Sequence, residues 1–392
     1  MTSGSIGVAV IGAGMAGRAH AAGYRSAGTV FGTDSPDVRL VSIVDTNEQL
    51  AEDARRRYGF DRVDTDWRAV AEADDIDAVS VVVANHLHRE IIEGLLAAGK
   101  HVLCEKPIAP TVEDAKAMAA AADRTDRVAV VGYTYRRAPG IGAVRDEIRA
   151  GNLGELIHYN GHAWYDYALD PLTPMSWRYR GGPGSGVLAD TGSHMVDTAE
   201  FLCGPIVEVS GGTLLTVIRE RPVPAGVTMG HERAELTGET EPVGNEDVAT
   251  FTARFASGAI GTFSTSRVAH GLRNGLAFEV FGTAGSAAFD LERTGEFLFS
   301  DNSPRGEVNG QRRVIVGPEH PYIRRGVPMD AGGVGLGTGD LFVYQTRAFL
   351  DQISGGGELP PCPSFHDAVR GLEVLDAVVE SALGAGVAVK VG

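Results

Sequence analysis

The stretch Ile6-Gly7-Val8-Ala9-Val10-Ile11-Gly12-Ala13-Gly14-Met15-Ala16-Gly17 decides how the chain is read. Its first half is a short apolar run without alternation, the mark of a β-strand covered on both faces. Its second half spaces three glycines as G-x-G-x-x-G, and the helical stretch Arg18–Ser26 follows directly. In that setting Gly12 permits the tight turn, and Gly14 lets the backbone approach a pyrophosphate. Gly17 allows close packing of helix on strand, and the helix N-terminus faces the phosphates. The stretch predicts a dinucleotide site on a parallel α/β sheet.

Working outward, a loop over Gly28–Asp37 leads to a second strand, Val38–Val44, that closes on Asp45. An acid at this strand end accepts hydrogen bonds from an adenosine ribose and repels a 2′-phosphate, so NAD is expected rather than NADP. Arg55, Arg56 and Arg57 end the helical stretch Asn47–Tyr58, where cations suit a helix C-terminus, and read as a solvated face. Ala78–Val83 is another covered strand, ending in Ala84-Asn85-His86-Leu87-His88. Its His-x-His pair has no further ligand at metal spacing, so a loop beside the cofactor is expected and no metal. A fourth strand, Val102 to Cys104, stops at Glu105-Lys106-Pro107, because proline cannot donate to a sheet ladder. Ligands bind at the carboxyl ends of parallel strands, which puts Lys106 where the reactive end of a cofactor belongs. With the helix Val112–Ala122 and the strand Arg127–Val131, the alternation makes a doubly wound parallel sheet over residues 1–135.

From residue 136 to 392 the texture changes. A helix at Ile141–Ala150 precedes strand-like runs at Leu156–Trp164, Val207–Val217, Val248–Phe255, Ala259–Val268, Ala277–Phe281 and Ala287–Leu291. Thr250-Phe251-Thr252-Ala253-Arg254-Phe255 alternates polar with apolar, as in an antiparallel sheet with one buried face. Arg219–Asn245 and Asn302–Gly337, rich in Gly, Pro and charge, read as loops. Two late helices are expected at Leu341–Ile353 and Ser364–Leu383, with Ser364 as N-cap and Asp367 three residues on. Before the sheet, Trp177-Arg178 and the flexible Gly181–Gly186 lead into Asp190-Thr191-Gly192-Ser193-His194. If Asp190–Leu202 is one helix, Asp190, His194 and Asp197 share a face.

Composition sets outer bounds. The 392 residues are 43% hydrophobic and 22% charged, as in ordinary globular proteins. A net charge of −16 argues against nucleic acid as a partner. The three cysteines, Cys104, Cys203 and Cys362, lie far apart without metal or disulfide spacing. Neither a secretion signal nor an apolar run of membrane length is visible, and a reducing cytoplasm is expected.

Taken together, Gly12–Gly17 after the first strand, Asn85-His86-Leu87-His88, Glu105-Lys106-Pro107 and Asp190-Thr191-Gly192-Ser193-His194 resemble the glucose–fructose oxidoreductase / inositol dehydrogenase / MocA family. Tyr135-Arg136-Arg137 and Trp177-Arg178 also look like family landmarks. Ala84 departs from the pattern, since many members carry proline there. The long insertions and the stretch Asp166 to Arg178 look most like the sugar and cyclitol dehydrogenases of the family. The resemblance implies a Rossmann domain followed by an α+β domain whose large, mainly antiparallel open sheet mediates homo-oligomerisation. It implies NAD contacts from Gly12, Gly14, Met15, Ala16, Gly17, Asp45, Asn85, His88, Glu105, Lys106, Trp177 and Arg178. Lys106, Asp190 and His194 would be the catalytic set, with Tyr135, Tyr165 and Asp166 beside them at the substrate. The expected activity is oxidation of a secondary ring hydroxyl of a sugar, glycoside or cyclitol by hydride transfer to NAD. A glycosidase of the same fold that oxidises transiently, and a nucleotide-sensing regulator without chemistry, remain open beside it.

Overall fold

β1 (Ile6–Ile11) is buried at all six positions, as a central strand flanked by helices on both faces must be. The computed structural model describes residues 5–32, 36–226, 235–302, 310–324, 326–327, 329 and 331–392. By packing, the chain divides into two units, Met1–Arg137 with Gly317–Val369, and Ala138–Val316 with Arg370–Gly392.

In the first unit β1 is followed by α1 (Met15–Val30), β2 (Val38–Val44), α2 (Glu48–Tyr58), β3 (Arg62–Asp64) and α3 (Trp67–Glu72). Then come β4 (Ala78–Val81), α4 (His88–Ala97), β5 (His101–Cys104), α5 (Val112–Ala122) and β6 (Ala129–Val131). The sheet order is β3-β2-β1-β4-β5-β6, with every pair parallel. This is the doubly wound arrangement, and its order reverses between β1 and β4. That reversal opens the crevice where ligands bind in such sheets. The expected loop at Gly28–Asp37 is shorter than read, because α1 runs on to Val30; residues 33–35 lie outside the described residues. The arginines of α2 lie along its surface in i,i+3 and i,i+4 pairs with Glu52 and Asp53, a solvated face.

In the second unit α6 (Pro139–Arg149) leads to β7 (Leu156–Trp164), α7 (Ser193–Cys203) and β8 (Ile206–Leu215). A hairpin of β9 (Glu220–Pro224) and β10 (Leu236–Pro242) comes next. The larger sheet is completed by β11 (Val248–Phe255), β12 (Ile260–Ser266), β13 (Gly275–Gly282), β14 (Gly285–Asp290), β15 (Glu296–Asp301) and β16 (Arg312–Ile315). Three of these strands correct the sequence reading. Arg219–Asn245 holds the β9–β10 hairpin, and Asn302–Gly337 holds β16; the parts of these stretches at 227–234, 303–309, 325, 328 and 330 lie outside the described residues. The nine-stranded sheet is antiparallel except where β12 runs parallel to β7. Along β11, Ala249, Phe251, Ala253 and Phe255 are buried while Thr250, Thr252 and Arg254 are exposed. The buried face stacks Phe251 on Phe263 at 4.6 Å and Tyr159 on Phe278 at 5.7 Å, and Phe278 on Phe289 at 5.5 Å. Burial of each such ring contributes about 2–3 kcal/mol.

The chain then returns to the first unit through α8 (Thr338–Ser354), and α9 (Phe365–Leu383) spans the dividing line before β17 (Val389–Lys390). The sequence reading placed all of 136–392 in one domain; α8 instead packs on α1. Gly23 of α1 makes room for it, since a Cβ there would lie 2.9 Å from the Phe342 carbonyl oxygen. Ser364 and Asp367 cap α9 reciprocally: the Ser364 N–H donates to Asp367 Oδ2 (2.7 Å) and the Asp367 N–H to Ser364 Oγ (3.2 Å).

Candidate active site

In the first unit the glycine turn has the geometry its sequence requires. Gly12 has φ +105°, and a Cβ on it would lie 2.2 Å from the Val82 carbonyl oxygen. A Cβ on Gly17 would lie 1.8 Å from the Gly12 carbonyl oxygen, so this close helix–strand contact needs glycine. At Gly14 a Cβ would meet nothing within 4 Å. Gly14 is the N-cap of α1, which has no side-chain cap and no acid in its first turn. The helix N-terminus, with the amides of Met15, Ala16 and Gly17, therefore offers unclaimed positive potential over open space. Asp45 ends β2 half-buried, its carboxylate accepting the Ala13 N–H and the Asn47 N–H, both at 2.9 Å. An uncapped helix behind a glycine turn, with an acid at the next strand end, fits NAD.

Asn85 sits half-buried in a short 3-10 turn after β4. His88, expected as a cofactor contact, is 1% exposed at the start of α4. Its Nδ1 lies 2.9 Å from the Ile108 carbonyl and its Nε2 3.0 Å from the Val83 carbonyl. Burial holds its pKa below the usual imidazole value, and the ring ties backbone to backbone. Glu105 is also turned inward, 8% exposed. One oxygen meets His20 Nε2 at 2.9 Å, and the other accepts the Lys106 N–H at 3.1 Å. Its carboxylate thus makes a buried contact with α1. Lys106 follows half-buried at the carboxyl end of β5, with a cis peptide to Pro107. Tyr135 lies half-buried in the 3-10 turn Thr134–Arg137 after β6.

In the second unit the expected helix over Asp190–Leu202 has a different beginning. Leu188–Gly192 is a π-turn, and regular α-helix starts at Ser193. Asp190 therefore lies in the wider turn and His194 in the first turn of α7, so a uniform α-helical face does not describe them. Asp190 is half-buried and accepts a 2.7 Å hydrogen bond from the Tyr167 hydroxyl; His194 is 7% exposed. Burial, then the Asp190 charge, holds the Tyr167 phenol proton well above its ordinary range. Tyr165, expected at a substrate, is 7% exposed in this unit, with Asp166 half-exposed after it. Trp177 is 48% exposed, with the Arg178 guanidinium 4.4 Å from its ring centre.

Three consecutive buried polar residues before β11 organise these segments. Asn245 donates to the Arg178 and Arg180 carbonyls (3.0 and 3.3 Å). Glu246 accepts the N–H groups of Gly184 (2.7 Å), Gly186 (3.1 Å) and Leu188 (3.0 Å), fixing the glycine-rich turn that feeds the π-turn. Asp247 pairs with the fully buried Arg267 at 2.7 Å. Arg267 and Arg221 both lie against the Tyr179 ring, at 4.9 and 4.0 Å. Sequence reasoning missed Tyr167, Glu246 and His20. The aromatic run Trp164-Tyr165-Asp166-Tyr167 pointed to the first, whereas no local signal marked the other two.

Comparison with known proteins agrees with this geometry. Residues 6–133 match the family model described as the oxidoreductase family, NAD-binding Rossmann fold, and residues 141–288 match the GFO/IDH/MocA C-terminal domain. Levoglucosan dehydrogenase of Pseudarthrobacter phenanthrenivorans is 36% identical over 96% of each chain. Inositol 2-dehydrogenase of Rhizobium meliloti is 26% identical over 95% of each. A solved levoglucosan dehydrogenase in complex with NADH and L-sorbose superposes with a TM-score of 0.90 at 34% identity, covering 100% of both chains. With its glycine turn, acidic strand end and strand-end lysine, this chain belongs to the Gfo/Idh/MocA family of NAD-binding oxidoreductases.

Proposed function

We propose that the protein oxidises a secondary ring hydroxyl of a sugar, glycoside or cyclitol to a ketone with NAD. The observation that carries this reading is Lys106 at the carboxyl end of β5, in a sheet whose glycine turn fits NAD. When bound, NAD supplies the hydride acceptor. In this reading His194 takes the hydroxyl proton as general base, and Lys106 donates a hydrogen bond to the oxygen as negative charge develops there. Asp190, itself held by the Tyr167 hydroxyl, fixes a neighbouring hydroxyl and orients the ring. Tyr135 and Asp166 supply further polar contacts, and Trp177 and Arg178 border the cofactor. The similarity to levoglucosan and inositol dehydrogenases supports a carbohydrate or cyclitol.

The same reading includes a cytoplasmic homo-oligomer. Ile260, Phe281, Leu298 and Ile315 of the nine-stranded sheet are exposed on the face opposite the buried rings, and apolar side chains on an open sheet face favour association. Among the described residues no helix is long and apolar enough to cross a membrane. A panel of levoglucosan, free sugars, glycosides and inositols incubated with NAD⁺ should produce NADH with at least one ring substrate. Release of an aglycone without net NADH would point instead to the transient-oxidation glycosidase.

A further inference from the structure

Four polar side chains form a buried line through the first unit. The Tyr24 hydroxyl lies 2.9 Å from Ser80 Oγ, Ser80 Oγ 3.0 Å from His20 Nδ1, and His20 Nε2 2.9 Å from Glu105 Oε1. Tyr24 and His20 come from α1, Ser80 from β4 and Glu105 from the end of β5; their exposures are 1, 0, 0 and 8%. These places in a doubly wound sheet call for apolar side chains. A buried carboxylate there costs several kcal/mol unless it is paired, so the line asks for an explanation other than folding.

The hydrogen bonds have one polarity that gives each hydroxyl an acceptor. Burial pushes the Tyr24 phenol far up, so it donates to Ser80; Ser80 donates to His20 Nδ1, and His20 Nε2–H donates to Glu105. The other Glu105 oxygen holds the Lys106 N–H. A carboxylate of fixed orientation is thereby placed beside the base of Lys106.

We propose that Glu105 is a counter-charge that favours the protonated form of Lys106, and that His20 is the positioning residue that holds Glu105 ionised and in place. Burial raises the Glu105 carboxyl, but the hydrogen bond and field of the His20 ring, then the charge of Lys106, bring it below the ordinary carboxylate value. This coupling is mutual, so the carboxylate favours the ammonium of Lys106. The titratable groups that face Glu105 are His20 from α1, its chain neighbours Cys104 and Lys106, and His88 from α4. The neutral Gln345 of α8 lies near, since a Cβ on Gly132 would be 2.8 Å from Glu105 Oε1 and 3.3 Å from Gln345 Nε2. A positive charge close to a lysine disfavours its ammonium form, and a buried carboxylate opposes that effect. The chain has only four lysines, Lys100, Lys106, Lys116 and Lys390, among 35 basic residues. An arginine at 106 would bring a planar fork that needs different space from a compact ammonium. The inference rests on the catalytic reading of Lys106 for its purpose, but its test does not.

The test is a pH titration of the full-length protein labelled with ¹³C at lysine Cε, without and with NAD⁺, Lys106 being assigned by its loss in Lys106→Arg. Glu105→Gln should lower the Lys106 midpoint by about one unit; an unchanged midpoint in the folded variant overturns the proposal. His20→Leu leaves the carboxyl without its donor, so Glu105 should titrate nearer neutrality and appear as a second inflection on the Lys106 signal. His20→Gln, whose amide still donates, should restore a single curve. If Glu105→Gln does not fold, the His20 pair decides, and a Lys106 curve indifferent to His20→Leu overturns the proposal. A shifted midpoint alongside normal turnover in Lys106→Ala would keep the counter-charge and remove the catalytic reading.

Discussion

Glu105 in the first unit and Glu246 in the second are both buried, at 8% and 2% exposure, and both hold the segment that carries a proposed catalytic residue. Their carboxyls nevertheless move in opposite directions. Glu246 accepts three backbone N–H groups, yet burial still raises it above the ordinary value, against those bonds and the charge of Arg267. Arg267 donates its own hydrogen bonds elsewhere, to Asp247, Asn245 and the Arg178 carbonyl. Glu105 accepts a single backbone N–H, but the imidazole of His20 and the charge of Lys106 lower it. At Glu246 burial outweighs the amide bonds and the Arg267 charge, whereas at Glu105 the His20 ring and Lys106 outweigh burial. Glu246 is accordingly a mechanical anchor, and Glu105 an electrostatic one.

The largest expected effect falls on the residues these anchors serve. Lys106→Ala and His194→Ala should each keep the fold and the NAD affinity and lower kcat by on the order of 10²–10⁴. The double variant should lose far less than the product, since groups acting as one unit are not additive. Lys106→Arg should not rescue. Near-wild-type turnover in Lys106→Ala, measured with fluorescence titration of NAD, would make this strand end structural and break the comparison at its source.

Next in size is the anchor of the second unit. Glu246→Ala strips the acceptor from three backbone N–H groups and should cost about 3 kcal/mol or more, read by hydrogen exchange at Gly184, Gly186 and Leu188. The raised carboxyl also gives a sign for pH. The unfolded chain loses this proton first, near its ordinary value of 4.5, so the cost of ionising Glu246 grows as pH rises through 4.5 and is full above its folded value. Lowering pH toward 5 should therefore relieve the second unit at this residue, and Glu246→Gln should abolish that relief. Glu105 has the opposite sign: its contribution is present above 4.5 and is lost as pH falls through its depressed folded value. Its neighbour His88, also depressed, withdraws stability as pH falls below 6.5, where only the unfolded ring takes up a proton. Equal acid responses at the amides of the two anchored segments would erase the distinction.

The smallest effect tests a third carboxylate, Asp45, which is half-buried and accepts the Ala13 and Asn47 amides. Asp45→Ala should weaken NAD binding about tenfold, the worth of a hydrogen bond to a charged group, and narrow the preference over NADP. A wild type that uses both cofactors equally would show that Asp45 only braces the glycine turn.

Much of this was readable because it is local. The glycine turn, the strand ends at Asp45 and Lys106 and the alternation along β11 each follow from a few adjacent residues and a known period. The reading went wrong where a partner far away decided. Arg219–Asn245 looks like a loop because Pro222, Pro224 and Gly238 weaken both strands, which pair chiefly with each other. Arg221 looks like a solvated charge but is fully buried, donating to the Ala168 and Asp170 carbonyls. The π-turn at Leu188–Gly192 escaped because nothing in its composition separates it from an α-helical start.

By itself, then, the sequence determined the two classes of sheet, the glycine turn that fits NAD, and the strand end on which Lys106 stands. A period of two or of 3.6 residues selects the face an element buries, and proline or glycine selects where it stops. Tertiary structure decided which polar side chains meet across that buried space. His20 and Glu105 are 85 positions apart, and Gly186 and Glu246 are 60 apart. A local pattern states that a face will be covered but not what covers it, and a buried carboxylate takes its charge from whatever the covering element brings.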